Sequence, residues 1–182
     1  MVDATSAVRH PVRHRTIQPR GDESGMIEAT LCFIVDGTPP DRILLGRKKR
    51  GFGQGKLNGL GGKVRPDETP IRTIVREVRE EAGVIVSPDG LRSAGTITFH
   101  FPFERSFDHH VHLFVASDWE GDPRESAEMA PAWYAIDAIP YDRMWADDRH
   151  WLPHVLAGRR ICAQFAFAVD NETVVDWTIE EL

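Results

Sequence analysis

Several features that mark secreted, membrane and nucleic-acid-binding proteins are scarce in this sequence. Its 182 residues include only two cysteines, Cys32 and Cys162. Both lie in apolar runs, so we expect two buried thiols rather than a disulfide, as is typical of cytoplasmic proteins. No apolar run is long enough for a signal peptide or a membrane span, so no membrane partner is expected. A net charge of −6 argues against a broad nucleic-acid-binding surface and leaves a small molecule as the expected partner.

Basic residues are concentrated at the beginning of the chain. Residues 1–25 contain few acids, and their basic residues are Arg9, His10, Arg13, His14, Arg15 and Arg20. This composition predicts a flexible basic N-terminal extension, with an organelle transit peptide as the alternative. Residues 26–182 are then expected to form one domain of a monomer, because 41% of the chain is hydrophobic and can supply one core.

Residues 62–84 predict an amphipathic helix whose two ends are marked. Thr69 suits an N-cap, Pro70 suits the first helical position, and Gly83 suits the residue after the last turn. At about 100° per residue, an apolar stripe follows one side of the helix and a basic stripe follows another. The apolar stripe is Ile71, Ile74, Val75, Val78 and Ala82, and the basic stripe is Arg72, Arg76 and Arg79.

Three glutamates would lie on one face of this helix, because Glu77, Glu80 and Glu81 are spaced i, i+3 and i+4. A solvated helix with salt bridges is the ordinary interpretation. However, Glu77 and Glu81 are like charges one turn apart, and the last turn of a helix disfavours anions. Arg76 can pair with Glu80 but leaves the other two unpaired. Since Mg²⁺ binds carboxylate, water and phosphate oxygens, the pattern favours a metal site.

The same segment resembles the Nudix hydrolase signature at every specified position. Gly62 is followed by Glu68 after five residues, and REVREEAGV (76–84) follows after seven more. The resemblance implies a Nudix-fold α/β/α sandwich and hydrolysis of a pyrophosphate bond in a nucleotide, with Mg²⁺ or Mn²⁺ as cofactor.

The resemblance also implies roles for single residues. The metal-binding set it implies on the signature is Gly62, Glu77, Glu80 and Glu81, with Glu77 and Glu81 as the main ligands and Glu80 assisting. Glu68 and Arg76 belong to the same catalytic motif and are expected to orient the helix.

Seven short segments rich in β-branched and aromatic residues predict strands. They are residues 27–35, 42–46, 96–101, 111–117, 132–136, 161–169 and 173–179, with turns at Asp36-Gly37 and Asn171-Glu172. A second helix is expected from Asp147 to Leu156. Because strands outnumber helices and do not alternate with them, an α/β fold with a mixed β-sheet is favoured over a doubly wound parallel sheet.

A loop rich in cations and glycines, residues 46–56, directly precedes the signature. Its glycines let backbone amides approach an anion, and it carries Lys48 and Phe52. A solvated turn is the alternative, and no P-loop motif is present. We expect this loop to contact phosphate and include Lys48 and Phe52 among the substrate-binding residues.

Three further stretches narrow the resemblance to one branch of the family. Residues 42–64, 125–129 and 144–151 look like the oxidised purine nucleoside triphosphate hydrolases. This likeness implies Glu128 as a metal ligand outside the helix and a base pocket formed by Asn58, Phe99, Phe101, Trp145, Asp147 and Asp148. Flat aromatic faces suit a purine, and an amide with two acids, one of them protonated, suits its hydrogen-bonding edge.

Other interpretations of these residues are open. Adjacent aspartates before a helix often serve as caps, and Trp145 and Trp151 could belong to the core. The sequence has Leu57 and Leu60 where the mammalian enzyme of this branch has aromatics, so weaker base stacking is expected. A group of three histidines, His109, His110 and His112, is interpreted as surface or rim residues, since no companion carboxylate motif supports a metal site.

The expected function is Mg²⁺-dependent hydrolysis of oxidised purine nucleoside triphosphates, such as 8-oxo-dGTP and 2-hydroxy-dATP, to the monophosphate and pyrophosphate. This reaction would remove damaged precursors from the nucleotide pool. One alternative keeps the signature but takes an oxidised nucleoside diphosphate, a dinucleoside polyphosphate or a nucleotide sugar. A second alternative is a non-catalytic nucleotide sensor on the same scaffold.

Overall fold

An eight-stranded sheet with a helix on each face organises residues 25–182, the range that the computed structural model describes. The extension predicted for residues 1–25 lies outside this range except for its last residue. The strands are β1 (Ile27–Gly37), β2 (Pro40–Lys48), β3 (Leu57–Asn58), β4 (Leu91–His100), β5 (His109–Ala116), β6 (Met129–Ala135), β7 (Ile161–Phe167) and β8 (Val174–Glu181). The helices are α1 (Pro70–Ala82) and α2 (Asp148–Leu156).

The sheet is mixed, as the sequence predicted. Its strand order is β3-β2-β1-β5-β4-β7-β8, and β6 pairs with β2. β1 runs parallel to β5, and β4 runs parallel to β7, whereas the other paired strands are antiparallel. The predicted α/β fold class with a mixed sheet is therefore confirmed.

All seven predicted strands are present, but their ends and one turn differ. β1 continues through Asp36 and Gly37, so the first hairpin turns at Thr38-Pro39 and not at Asp36-Gly37. The two-residue strand β3 was not predicted, because two residues are too few to show an alternating pattern. It pairs with Gly46 and Arg47 of β2, which brings the residues before the signature beside the cationic loop.

Helix α1 has the predicted ends. Thr69 Oγ1 accepts a hydrogen bond from Arg72 N at 3.3 Å, and Pro70 is the first helical residue. Gly83 has a left-handed backbone with φ of 69° and donates its N–H to Arg79 O, so the helix ends there. The prediction for Ile71 is wrong, because this first-turn residue is 43% exposed rather than part of the buried stripe.

The sheet separates two hydrophobic cores. The α1 core joins Ile74, Val78 and Ala82 of the helix to one face of the sheet, and the α2 core joins Trp151, Leu152 and Val155 to the other. Alternation along β1 supplies both cores, because Phe33 and Val35 point to the α2 core whereas Cys32 and Ile34 point to the α1 core.

The two cysteines differ in exposure, which corrects one prediction. Both are free thiols, and Cys32 is fully buried, which raises the pKa of its thiol to about 12. Cys162 is exposed because it alternates with Ile161 and Ala163, which take the buried side of β7. Within residues 25–182, no helix is long and apolar enough to cross a membrane.

Candidate active site

A cavity of about 530 Å³ opens on the sheet face that carries the α2 core. This volume falls within the range of about 300–1,000 Å³ that is usual for small-molecule sites. Ten of the predicted site residues line it: Lys48, Phe52, Asn58, Gly62, Phe99, Phe101, Glu128, Trp145, Asp147 and Asp148. The other five, Glu68, Arg76, Glu77, Glu80 and Glu81, lie on α1 or just before it.

Gly61 and Gly62 connect the cavity to helix α1. Both glycines line the cavity, and Gly61 N donates a hydrogen bond of 2.9 Å to Glu81 Oε2. A methyl group on Gly62 would lie 2.5 Å from Glu77 Oε1, so a glycine is needed for the carboxylate to approach the backbone. The first and last of the three glutamates are thus placed at the edge of the cavity by one glycine pair.

Glu81 is an acid in an unfavourable electrostatic environment. Glu81 is 3% exposed, and burial raises the pKa of its carboxyl group to about 7. The Gly61 N–H opposes this shift, the negative charges of Glu77 and Glu128 add to it, and Lys48 lowers the pKa. A charged Glu81 therefore needs more positive charge than the chain supplies around it. A divalent cation bound by carboxylate oxygens meets this requirement.

Arg76 holds the acids of the signature in place. Its Nε and Nη2 donate to the two carboxylate oxygens of Glu68, each at 2.8 Å, in a bidentate pair. Its Nη1 donates to Glu77 Oε1 at 2.7 Å and to Glu80 Oε2 at 3.1 Å. Thr73 Oγ1 adds a bond of 2.8 Å to Glu68. These contacts join the segment before α1 to the face of the helix that carries the glutamates, which supports the orienting role proposed for Glu68 and Arg76.

Replacing Glu68 by Gln is expected to change how the protein unfolds in acid. The hydrogen bonds from Arg76 lower the pKa of Glu68 from its usual 4.5 to about 2. The stabilisation from ionised Glu68 is therefore complete above pH 4.5 and is lost as the pH falls toward 2. Urea unfolding of both proteins between pH 2 and pH 6 measures this, and the stability difference should shrink as the pH falls through that interval. A difference that does not vary with pH would contradict the role of the ion pair.

A divalent cation would compete with arginines for these carboxylates. Arg50 forms an ion pair with Glu128, and Arg76 bonds to Glu77 and Glu80. Over residues 25–182, no three histidine, cysteine or acidic side chains form a ready-made metal cage. The chemistry of the donors fits a hard cation, since the candidate ligands are carboxylate oxygens around the destabilised charge of Glu81.

The carbonyl group of Gly62 contacts strand β1. Its carbonyl oxygen accepts hydrogen bonds from Thr30 N at 2.9 Å and from Thr30 Oγ1 at 3.3 Å. The carbonyl is therefore hydrogen-bonded to β1, and the metal-ligand role expected for Gly62 stays a prediction. Its place in the signature is explained by the close approach of Glu77.

Asp147 and Asp148 are buried together in the cavity wall, and each is 2% exposed. Asp147 Oδ2 accepts from Trp151 Nε1 at 2.8 Å, and Asp148 Oδ2 accepts from Trp145 N at 2.9 Å. Asp147 stands at the N-cap position of α2, but its side chain forms no cap bond there. Both residues therefore line the cavity, and the side chain of Asp147 does not cap the helix.

Burial raises the pKa of both acids. The pKa of Asp147 rises to about 6, and that of Asp148 rises well above its usual range, first by burial and then by the charge of Asp147. Lys56 acts in the opposite direction on both. One proton shared by the two carboxyls at neutral pH would give the pair one hydrogen-bond donor beside acceptors.

Aromatic rings form the other walls of the cavity. Phe52 stacks on Trp145 with ring centroids 4.9 Å apart, and Lys56 Nζ lies 4.8 Å from the centroid of the same indole. Asn58 Oδ1 accepts from Gly59 N at 2.9 Å, which leaves the amide nitrogen of Asn58 as a donor. Flat faces beside amide and carboxyl groups are the chemistry that a purine base requires.

Leu57 and Leu60 do not line the cavity. Leu57 belongs to the α2 core and Leu60 to the α1 core, and they are 1% and 0% exposed. Because these two leucines are not in the cavity wall, the structure does not support the expectation that they weaken base stacking. The stacking face there is Trp145, with Phe52 against it.

The three histidines do not form one group. His110 bonds to Thr98 Oγ1 and His112 bonds to Glu28, whereas His109 lines the cavity. Strand alternation explains the separation and was visible in the sequence, because His109 shares its parity with the core residues Val111 and Leu113. Sequence reasoning missed Lys63 and included Lys56 only as a member of the cationic loop, because no local pattern distinguishes these lysines from solvated ones.

The glutamate helix, the preceding glycine pair and the mixed sheet define a Nudix hydrolase. The chain belongs to the Nudix family, whose NUDIX domain model matches residues 27–155. It is 43% identical over 157 residues to the oxidized purine nucleoside triphosphate hydrolase of Danio rerio, which covers 86% of this chain and 98% of that protein. The protein of the same description from Mus musculus is 41% identical over the same shares of both chains.

A solved structure shows the same architecture. The MutT protein from Bacillus halodurans matches with a TM-score of 0.73 and 25% identity, over 85% of this chain and 98% of that one. The chain is a Nudix hydrolase, and enzymes of this family generally need divalent metal ions.

Proposed function

We propose that this protein hydrolyses oxidised purine nucleoside triphosphates to the nucleoside monophosphate and pyrophosphate, with Mg²⁺ as the ion and Mn²⁺ as a substitute. The observation that carries the proposal is the shared cavity, which is lined both by the buried Asp147 and Asp148 and by Gly61, the residue that bonds to Glu81. One site thus contains two kinds of group. The aspartate pair is suited to hydrogen bonding with a base, and the glutamates of α1 are suited to binding a cation beside polyphosphate. The zebrafish and mouse relatives are oxidized purine nucleoside triphosphate hydrolases, which supports the substrate class proposed for this chain.

The proposed roles follow from the contacts. Trp145 and Phe52 provide stacking faces, and Asn58, Asp147 and Asp148 provide donors and acceptors for the base edge. Phe99 and Phe101 line the same cavity and would provide apolar contacts for the base.

The other subsite contains the charges. Lys48 neutralises phosphate charge, whereas Arg76 and Glu68 hold the glutamate face of α1 in position. Glu77 and Glu81 would hold the divalent ion, assisted by Glu80 and Glu128. Such an ion supplies charge neutralisation at the phosphates and a lowered pKa for a water molecule. The hydrogen bond from Gly61 N to Glu81 Oε2 orients this carboxylate.

The proposal assigns these activities to residues 26–182 acting as a cytoplasmic monomer on free nucleotides. Two observations support this setting. Both cysteines are free thiols, as is usual in a reducing compartment, and the formal charge of −6 disfavours a nucleic-acid substrate.

A substrate panel tests the function. Initial rates with Mg²⁺ should be compared for 8-oxo-dGTP, 2-hydroxy-dATP, dGTP, dATP, 8-oxo-dGDP, a dinucleoside tetraphosphate and ADP-ribose, with products separated by chromatography. We expect the highest kcat/KM for the oxidised purine triphosphates, with pyrophosphate as the inorganic product. A preference for 8-oxo-dGDP, the dinucleoside tetraphosphate or ADP-ribose would show that the enzyme acts on that class of substrate instead. Tight binding without pyrophosphate release would show a sensor.

A further inference from the structure

His109 lies where the aromatic part of the cavity meets its positive charges. It is the first residue of β5, opposite Phe99 of β4 in the strand register. Its ring is nearly parallel to that of Phe52, with an angle of 17° and centroids 6.1 Å apart. The ring also experiences the charges of Lys48 and Lys63, which line the same cavity.

The hydrogen bond of His109 determines which ring nitrogen a ligand can use. Nδ1 contacts the carbonyl oxygen of Phe107, which is an acceptor only, so Nδ1 must carry the proton and donate. In the neutral ring, Nε2 is then an acceptor with a free lone pair.

The surroundings keep this imidazole neutral. Burial lowers the pKa of His109, and the charges of Lys63 and Lys48 lower it further. The Phe107 carbonyl and the charge of Asp108 act in the opposite direction and are weaker together. At neutral pH the cavity wall therefore presents an uncharged hydrogen-bond acceptor near the ring of Phe52 and the charges of Lys48 and Lys63.

A nucleotide bound as proposed would place its sugar beside this ring. The base would lie against Trp145 and the aspartate pair, and the phosphates would lie near Lys48 and the glutamates of α1. The sugar links base to phosphate and must therefore lie between these two subsites, which is where His109 stands. Resting on the proposed function, we propose that His109 Nε2 accepts a hydrogen bond from a sugar hydroxyl of the nucleotide and thereby selects for that hydroxyl.

Variants of His109 combined with sugar analogues test this contact. KM and kcat should be measured for 8-oxo-dGTP, its ribonucleotide and its 2′,3′-dideoxynucleotide. The variants are His109→Phe, which keeps a ring but loses the acceptor, and His109→Gln, which keeps an acceptor. His110→Phe is the matched control, because the neighbouring side chain bonds to Thr98 on the opposite face of the sheet.

The expected result is a loss of sugar discrimination. The wild-type KM should be about three- to tenfold lower for a substrate with the contacted hydroxyl than for the dideoxynucleotide, as expected for one neutral hydrogen bond. His109→Phe should remove this ratio with little change in kcat, whereas His109→Gln and His110→Phe should keep it. An unchanged ratio in His109→Phe, or no ratio in the wild-type protein, would overturn the proposal.

A binding measurement separates this inference from the proposed function. Nitrogen NMR of ¹⁵N-histidine-labelled wild-type protein, with His109→Gln used to assign the signal, should show Nε2 of His109 shifting when 8-oxo-dGMP is added. The shift should be smaller with the dideoxynucleoside monophosphate. Failure to release pyrophosphate from any oxidised triphosphate would refute the proposed function, whereas equal shifts with both monophosphates would refute the sugar contact alone.

Discussion

Replacing Glu81 by Gln is expected to lower kcat for the preferred triphosphate by at least ~10²-fold, the scale of a lost ligand or proton-transfer group. Glu81 is the most buried of the signature glutamates, and its carboxylate lies near the like charges of Glu77 and Glu128. Glutamine keeps the size of the side chain and can accept the hydrogen bond from Gly61 N. It cannot supply the negative charge that a divalent cation requires. Steady-state kinetics at saturating Mg²⁺ measures the effect.

A stability measurement distinguishes this loss from misfolding. Because burial raises the pKa of Glu81 to about 7, ionising this carboxyl in the folded protein costs free energy as the pH rises from its usual 4.5 toward 7. Glutamine removes that cost, so the variant should unfold at the same temperature as the wild type or higher at pH 8. Glu180→Gln, on the exposed edge strand β8, is the matched control and should keep full activity. Near-normal turnover in Glu81→Gln would refute the proposed role of the helix.

Replacing Asp147 or Asp148 by Asn is expected to change the ranking of purine substrates. A site built to match hydrogen bonds can reject an unmatched analogue by up to ~10⁴-fold, because its buried polar groups are left unpaired. Asparagine has a fixed donor and a fixed acceptor, so neither variant can redistribute a shared proton between the two positions. The ratio of kcat/KM for 8-oxo-dGTP to that for dGTP, and the same ratio for 2-hydroxy-dATP and dATP, should both change. An unchanged ranking in both variants would refute the base-pocket assignment.

The pH dependence of stability provides the control for these variants. An acid whose pKa is raised by folding destabilises the folded state increasingly as the pH rises from its usual 3.8 toward the raised value. The asparagine variants lack this effect, so their stability relative to the wild type should improve from pH 4 to pH 7. Asp142→Asn, at an exposed position in the same region, should change neither stability nor substrate ranking.

The local part of the site could be predicted from sequence because its causes are local. The ends of α1 follow from Thr69, Pro70 and Gly83, and the spacing of the glutamates is set by the helical repeat. Strand alternation likewise predicted most of the sheet. The same alternation also predicts that Cys162 is exposed and that His109 points to the cavity. It does so only when the buried face of each strand is known.

The nonlocal part could not be derived from pattern. Asn58, Phe99 and Trp145 lie on separate segments and meet only because the sheet folds them onto one cavity. Their assignment came from resemblance to a family branch, and the structure brings them together. The pairing of Arg50 with Glu128 depends in the same way on two distant loops. Ion pairs of this kind have no signature in a single sequence, since any exposed acid and base could form them.

The division of the interior by the sheet has a consequence for how such an enzyme can diverge. The glutamates are anchored by side chains of the α1 core, whereas the walls around the base belong mainly to the α2 core. Substitutions that reshape the recognition of a base can therefore accumulate on one side while the cleaving apparatus is inherited unchanged on the other. Enzymes descended from one scaffold can therefore differ in substrate specificity and still share one mechanism of hydrolysis.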